Sequence, residues 1–190
     1  MTTEHQLVQD CLKGKPSAQK ALYELFASRM LGVCYRYTKS MSDAEDVLQE
    51  GFVKVFHYLS QFRGEGDLGA WIRRIMVTTA INYLKKNSRY QFDLSFSADE
   101  NHFLHPVSPD DPEMMLDAKQ LADIVRQLPP GYQAIFNLHA IEGYTHVEIS
   151  SMLGIHEGTS RSQYARARNL LITWLEKESE STKQTRYARS

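Results

Sequence analysis

The sequence predicts an all-α protein made of two small helical domains joined by a flexible acidic linker. Nearly every periodic segment has apolar residues at helical spacing, and no stretch alternates in the manner of a half-buried strand. Residues 89–112 differ, because they have three prolines, no period and mainly aromatic, polar and acidic side chains. We therefore expect domains at about 1–90 and 113–177, a linker at 91–112 and a flexible tail at 178–190.

The net charge of −1 hides an uneven distribution along the 190 residues. Residues 1–92 carry thirteen Lys and Arg against nine Asp and Glu, residues 93–118 carry none against seven, and residues 119–190 carry nine against seven. Two mildly basic blocks therefore flank an acidic connector, which weakly favours a nucleic-acid partner. The sequence shows neither an apolar run of about 20 residues nor a signal peptide. These features predict a cytoplasmic protein that is not itself a membrane protein.

The sequence offers little support for catalysis. A Gly-rich phosphate loop, a metal-ligand cluster and a nucleophile–His–acid set are not evident, which disfavours an enzyme. His102 and His105 in the linker lack supporting ligand residues, so we predict no metal site, cofactor or catalytic residue. Cys11 and Cys34 lie among helix-like apolar residues, which predicts buried thiols rather than a disulfide.

Punctuating residues divide the first domain into helices. Gly14 with Pro16 separates a short opening helix from a longer one that runs to about Thr38. Residues 42–45 (Ser-Asp-Ala-Glu) have the form of a capping box, and we expect a helix from there through about Leu59. Its predicted core face consists of Ala44, Leu48, Phe52, Val55 and Leu59.

Three further helices follow. One is predicted from about 67 to 86, and residues 111–113 (Asp-Pro-Glu) form a good start for the next. In the helix that begins at 111–113, the predicted core positions are Met114, Ala118, Leu121, Val125 and Leu128. Residues 129–131 (Pro-Pro-Gly) stop it, and another helix covers about 132–141.

A second capping box, residues 145–148 (Thr-His-Val-Glu), opens a short helix that ends at Leu153. Gly154 makes the turn, because glycine tolerates the positive φ of a tight interhelical connection. The next helix begins near Glu157 and runs to Trp174. Its predicted buried face consists of Ser160, Tyr164, Ala167, Leu171 and Trp174.

The opposite face of this last helix carries Ser162, Ala165 and Asn169, flanked by Thr159, Arg161 and Arg166. Small residues let a helix enter the major groove, where arginines reach phosphates or guanine edges. Residues 145–174 are therefore predicted to form a helix-turn-helix that lays its second helix on duplex DNA. The alternative is an amphipathic bundle helix with a solvated basic face.

The sequence resembles the RNA polymerase sigma factors, specifically the extracytoplasmic-function group of the sigma-70 family. The motifs of the N-terminal block are 46–50 (Asp-Val-Leu-Gln-Glu), 52–56 (Phe-Val-Lys-Val-Phe), 62–64 (Phe-Arg-Gly) and 71–75 (Trp-Ile-Arg-Arg-Ile). Those of the C-terminal block are 153–155 (Leu-Gly-Ile), 158–159 (Gly-Thr), 161–162 (Arg-Ser) and 165–168 (Ala-Arg-Ala-Arg). The resemblance covers about 10–90 and 113–175, and it implies a protein that binds polymerase core and directs promoter-specific initiation.

The resemblance also implies roles for three groups of residues. The clamp helices of the largest polymerase subunit would be contacted by Asp46, Gln49, Glu50 and Val53, on the helix face opposite Leu48. The melted −10 strand needs stacking surfaces and cations, and the residues of this group are Lys54, Phe62, Arg63, Arg73, Arg74, Asn82, Lys85 and Lys86. The −35 duplex would be read by Thr159, Arg161, Ser162, Arg166 and Arg168.

Several features leave alternatives open. Thr78 stands where many relatives have Asn, and His156 stands where relatives usually have Ser, so the DNA preference is not implied. Trp71 is either a stacking platform or, as we favour, a core residue. The acidic linker is either a tether or an RNA mimic in the polymerase cleft. Partners implied are core polymerase, promoter DNA and an anti-sigma factor, whose membrane anchoring is left open. A stand-alone helix-turn-helix regulator is the alternative function.

Overall fold

The computed structural model describes the backbone of residues 4–87 and 118–187, and the side chains of residues 4–87 and 121–176. Over these ranges the chain forms only helices and turns, which confirms the predicted all-α class. Contacts divide the chain into two compact units, of which the first ends at Asn87. The predicted helix start at 111–113 and the two linker histidines lie outside the described residues. No helix within the described ranges has both the length and the apolar character needed to cross a membrane.

The first unit is a bundle of four helices with a short 3-10 turn at Leu59–Gln61. The helices are α1 (Glu4–Leu12), α2 (Pro16–Tyr35), α3 (Met41–Tyr58) and α4 (Leu68–Asn87). Helices α2, α3 and α4 pack against one another, and α1 packs on α2. All five residues of the predicted core face of α3 are at most 4% exposed, so that prediction is confirmed.

Both cysteines belong to the core of the first unit. Cys11 and Cys34 are buried and free, as the sequence predicts. Burial raises the pKa of the Cys34 thiol to about 12. A thiol held protonated in this way is a poor nucleophile and a poor metal ligand, so both residues serve the packing.

The predicted capping box of α3 is wrong by two residues. Ser40 is the N-cap, and its Oγ accepts a hydrogen bond from the Asp43 backbone N–H at 3.0 Å. Hydrogen bonds from the side chains of Ser40 and Tyr83 hold the pKa of the Asp43 carboxyl below its usual value. Ser42 is exposed within the first turn. The error arises because Ser40 and Ser42 each precede an acid by three residues, so the pattern fits two registers.

Helices α3 and α4 approach each other closely at Gly51. A Cβ at this position would clash with the Sδ atom of Met76, which is fully buried. Real Cβ atoms do not come so close to a heavy atom, so the buried Met76 side chain would have to shift if Gly51 carried a side chain.

Over its described residues, the second unit consists of four helices and a π-helical turn. The elements are α5 (Ala118–Gln127), α6 (Pro130–Phe136), the π turn (Asn137–Ile141), α7 (His146–Leu153) and α8 (Glu157–Tyr187). A core cluster joins α5, α6 and α8 through Ile124, Val125, Leu128, Tyr132, Ala167 and Leu171.

Three predicted features of the second unit need correction. Leu121 is 37% exposed, because it lies one turn nearer the start of α5 than the core residues. Pro130 and Gly131 separate two helices as predicted, but they form the first turn of α6. Helix α8 does not end at Trp174, since the sequence from 159 to 187 contains no Gly or Pro to stop it. The segment predicted to be a flexible tail from 178 is therefore helical as far as Tyr187.

Candidate nucleic-acid interface

The helix-turn-helix at α7 and α8 begins with the predicted capping box. The Thr145 Oγ1 atom accepts from the Glu148 backbone N–H at 3.3 Å, and the Glu148 carboxylate accepts from the Thr145 backbone N–H at 2.8 Å. Gly154 then turns the chain with a φ of +72°. The predicted start and end of α7 and the start of α8 are all confirmed, because each is determined by local side-chain or backbone chemistry.

The inner face of α8 anchors it to the rest of the unit. Ser160 and Ala167 are fully buried and Leu171 is 4% exposed, while Tyr164 and Trp174 are half-buried. This is the face that the apolar spacing predicts. The Oγ atom of Ser160 lies 2.9 Å from Nδ1 of His146, so α7 is tied to α8 at its first residue.

The outer face of α8 carries the predicted −35 residues. Exposed along it are Arg161, Ser162, Ala165, Arg166 and Arg168, and Thr159 is half-buried. At about 100° per residue, Arg161 and Arg168 lie on one edge of this face and Arg166 on the other, with the small residues between them. Cationic side chains thus flank a low central ridge, which is a shape that fits a DNA groove.

An ion pair at the start of α8 was missed by the sequence reasoning. The Nε and Nη2 atoms of Arg161 both donate to one oxygen, Oε1, of Glu157, at 2.9 and 2.5 Å. Both side chains are exposed, by 64% for Arg161 and 40% for Glu157. The signal was present, because Glu and Arg four residues apart form a favourable helical pair.

A cluster of rings lies behind this ion pair. The His139 and His146 rings stack with centroids 4.2 Å apart, and His139 meets the Tyr164 ring edge to face at 4.6 Å. The π turn brings His139 into place, where its Nδ1 lies 2.8 Å from the Tyr144 carbonyl oxygen. Nothing in the sequence pattern signals this cluster, because a π turn has no simple periodicity.

In the first unit, α3 presents the predicted docking face. Asp46, Gln49 and Glu50 are exposed, and Val53 is 69% exposed. A groove between α2 and α3 borders this face. Its lining residues are Tyr23, Ala27, Ser28, Leu31, Glu45, Leu48 and Gln49. The face therefore combines acidic and amide groups with apolar surface, which suits binding to another protein.

Lys54 is placed differently from the other predicted −10 residues. Its Nζ atom lies 2.6 Å from Glu50 Oε1 and 3.3 Å from the Oγ1 atom of the buried Thr79. The structure thus joins Lys54 to a docking residue on its own helix and to the buried side of α4.

The remaining −10 residues form a more coherent surface along α4. Arg74, Asn82, Lys85 and Lys86 are exposed and lie within about 120° of arc on one side of the helix. Thr78 lies among them, and its hydroxyl donates to the Arg74 carbonyl oxygen at 2.9 Å, within the helix. Arg73 is half-buried and turns away from this side by about 100°.

Two aromatic rings lie at the N-terminal end of this exposed side of α4. The centroids of Phe62 and Trp71 are 5.6 Å apart and their planes are tilted by 52°. Both rings are half-buried. The sequence favours a core position for Trp71, and the structure does not place it in the fully buried core. Arg63 is exposed beside them, in a loop where Gly64 adopts a positive φ of 75°.

Comparison with known proteins identifies both units. Residues 22–90 match sigma-70 region 2 and residues 118–171 match sigma-70 region 4. The RNA polymerase sigma-H factor of Pseudomonas aeruginosa is 27% identical over 176 residues, which cover 88% of this chain and 91% of that protein. The ECF RNA polymerase sigma-E factor of Haemophilus influenzae is 30% identical over 177 residues, which cover 89% of this chain and 93% of that protein.

A solved structure has the same fold. The sigma factor RpoE from Bartonella quintana, in complex with the anti-sigma factor NepR, aligns with a TM-score of 0.51 at 21% identity. The alignment covers 83% of this chain and 96% of that one.

The class that these matches define is a transcription initiation factor, which associates with RNA polymerase and directs it to promoters. The chain belongs to the extracytoplasmic-function group of the sigma-70 family. The predicted family and function are confirmed, and the alternative of a stand-alone regulator is not favoured.

Proposed function

We propose that residues 113–177 read the −35 duplex through the outer face of α8. The observation that carries this assignment is the pair of basic edges around Ser162 and Ala165, on a helix whose other face is buried. The proposed contact residues are Thr159, Arg161, Ser162, Arg166 and Arg168. Cations at the edges contact phosphates or guanine edges, and the small central residues let the helix approach the bases in the major groove.

Residues 1–90 dock on core polymerase and hold the melted −10 strand. Docking is assigned to Asp46, Gln49, Glu50 and Val53, and the groove beside Gln49 accepts an apolar side chain of the clamp helices. The exposed side of α4 supplies cations to the strand, while Phe62 offers a ring for stacking at its beginning. The cations are Arg74, Lys85 and Lys86 on α4, with the Asn82 amide among them, and Arg63 in the loop before α4.

Two of the predicted −10 residues have supporting positions. Lys54 bridges α3 and α4 through Glu50 and Thr79, so its effect on the strand runs through the docking face. Arg73 is half-buried and lies about 100° around α4 from Arg74, so we assign it an indirect role in −10 binding. Lys54 and Arg73 therefore contribute to −10 binding without contacting the DNA strand themselves.

The protein is assigned to the cytoplasm, where core polymerase and DNA are found, and it performs no catalysis of its own. An anti-sigma factor is proposed as a further partner. Support comes from the Bartonella quintana structure, which is a complex of a sigma factor with an anti-sigma factor. The α3 face is the surface such an inhibitor needs to cover, because polymerase requires the same face.

Core binding and promoter reading are tested separately. The chain is mixed with bacterial core polymerase and the complex is isolated by size exclusion, with wild type, D46A/Q49A and E24A compared. Glu24 is an exposed acid on α2 that pairs with Lys20 of the same helix, away from the α3 face, so E24A is a matched control. We expect the double variant alone to lose core binding. Retained binding by D46A/Q49A contradicts the docking assignment, and loss of binding in E24A as well as in D46A/Q49A contradicts its specificity.

Promoter reading is measured by run-off transcription from a library of randomised promoters, using the reconstituted holoenzyme. We expect enrichment of two short elements separated by a fixed distance. Transcripts that begin without regard to sequence contradict the proposed function. This measurement also identifies the −35 sequence that the experiments below require.

A further inference from the structure

We propose that Glu157 is a specificity-determining residue, which holds the Arg161 guanidinium so that its outer edge faces a guanine. This inference rests on the proposed −35 role of α8 and extends it to a residue with no positive charge. It begins from the geometry of the ion pair. Arg161 gives its Nε–H and one Nη2–H to the same oxygen of Glu157.

The N–H groups of Arg161 that the ion pair does not use are the ones available to bind a guanine. A guanidinium has five N–H groups, and the ion pair occupies the two along the Nε side. Three are left, two on Nη1 and one on Nη2, without partners among the described residues. These lie on the outer edge of the group, where two parallel N–H bonds match the O6 and N7 acceptors of guanine.

The carboxylate also discourages other contacts. Arg161 is 64% exposed, and an unrestrained arginine at this position swings readily to the nearest phosphate. A phosphate contact brings the DNA backbone towards the negative charge of Glu157, which opposes it. A base contact leaves the ion pair intact. The second carboxylate oxygen, Oε2, has no partner in the described part of the chain and can accept from a cytosine N4 amino group.

Glu157 therefore lowers the affinity of the protein for DNA of any sequence and raises its preference for guanine at one position. Replacing it removes a negative charge beside DNA and releases Arg161, so binding to arbitrary sequences becomes stronger. The preference at one guanine position becomes weaker. A residue that merely stabilises the start of α8 has a different signature, because its loss weakens binding to all sequences alike.

The test uses reconstituted holoenzyme and two duplexes, the −35 sequence selected by wild type and the same duplex with each guanine replaced in turn. Wild type, E157Q, E157A, R161A and the charge control E24Q are compared at several salt concentrations. We expect E157A to lose discrimination at one guanine on the order of tenfold, with E157Q intermediate. If the freed arginine takes a phosphate, the slope of log K against log salt becomes steeper by about 0.9 in E157A.

The two proposals fail in different ways. If R161A selects the same sequence as wild type with the same affinity, the −35 assignment itself is wrong. If R161A loses the guanine preference while E157A and E157Q retain it in full, only the role of Glu157 is wrong. A uniform loss of affinity in E157A and E157Q, with discrimination and salt slope unchanged, identifies a purely structural residue and also overturns the proposal. E24Q must behave as wild type.

Discussion

The imidazole rings of His139 and His146 stack at a centroid distance of 4.2 Å, with their planes only 24° apart. Two protonated rings at this distance repel each other, so the arrangement disfavours the protonated form of His146. Each ring also has one nitrogen fixed, on the Tyr144 carbonyl oxygen and the Ser160 hydroxyl respectively. The contact joins the π turn to α7 and, through Ser160, to the start of α8.

The free energy of unfolding is expected to fall as His146 is protonated. The pKa of His146 lies below its usual value, chiefly because of burial and then because of the charges of His139 and Arg161, which Glu157 partly offsets. As the pH falls below about 6.5, the unfolded chain takes up the proton before the folded one does. The free energy of unfolding therefore decreases through this window and levels off below the folded pKa.

Urea unfolding at pH values of about 7.5 and 5.5 measures this effect. We expect the decrease to be smaller in H146Q than in wild type, because glutamine does not titrate and can still hydrogen-bond Ser160. H57Q, which changes an exposed histidine on α3, is the control for the loss of an imidazole. Equal decreases in H146Q and wild type rule out this histidine as the source.

The start of α3 offers a matched pair of serines. Because the Oγ atom of Ser40 caps the Asp43 N–H, S40A is expected to lower the free energy of unfolding by about 1 kcal/mol. Ser42 is exposed and makes no capping bond, so S42A is expected to change it by less than about 0.5 kcal/mol. Chemical denaturation of both variants decides the register of the cap, and a larger effect of S42A contradicts it.

The close contact between α3 and α4 predicts non-additive mutations. Gly51→Ala gains helix propensity of about 1 kcal/mol, but overpacking against Met76 costs about 1–3 kcal/mol. We expect G51A to destabilise the wild type and to stabilise the M76A variant, where space is available. A double-mutant cycle by urea denaturation gives the coupling energy. Additive effects mean that the Met76 side chain moves aside freely.

The basic edges of α8 predict a separation of activities. R161A and R166A each remove an exposed cation from the second unit and leave the α3 face intact. We expect loss of −35-dependent initiation, on the order of tenfold or more, with unchanged binding to core polymerase. Run-off transcription and a core-binding titration on the same preparations measure both quantities. An equal loss of core binding counts against the proposed division between the two units.

Sequence reasoning succeeds here where structure is determined locally. Thr145 and Glu148 specify a helix start by themselves, and Gly154 specifies a turn, so both could be predicted. Ser40 could not be distinguished from Ser42, because the capping pattern is satisfied twice and only the packing of α3 selects one. Leu121 has the right spacing for the core, but it lies one turn before the part of α5 that packs against α6 and α8. The pattern of a single helix does not show where its packing partners end.

Other features depend on contacts between helices and not on the local sequence. Gln133 and Asn137 are fully buried, although a hydrophobic pattern places amides outside. The π turn at Asn137–Ile141 shifts the register of the helix by about one residue, and it is this shift that brings His139 to His146. By contrast, the Glu157–Arg161 pair could have been predicted from spacing alone, since both residues lie in one helix.

Helix α8 divides its circumference between a buried side, which includes Ala167 and Leu171, and an exposed side that bears Arg161 and Arg166. Substitutions on the exposed side typically alter stability by less than about 0.5 kcal/mol. Under the proposed −35 assignment, duplicated copies of this protein therefore acquire new target sequences by exchanging surface residues, while they fold as before. Such a layout allows one scaffold to give rise to many regulators that serve different sets of genes.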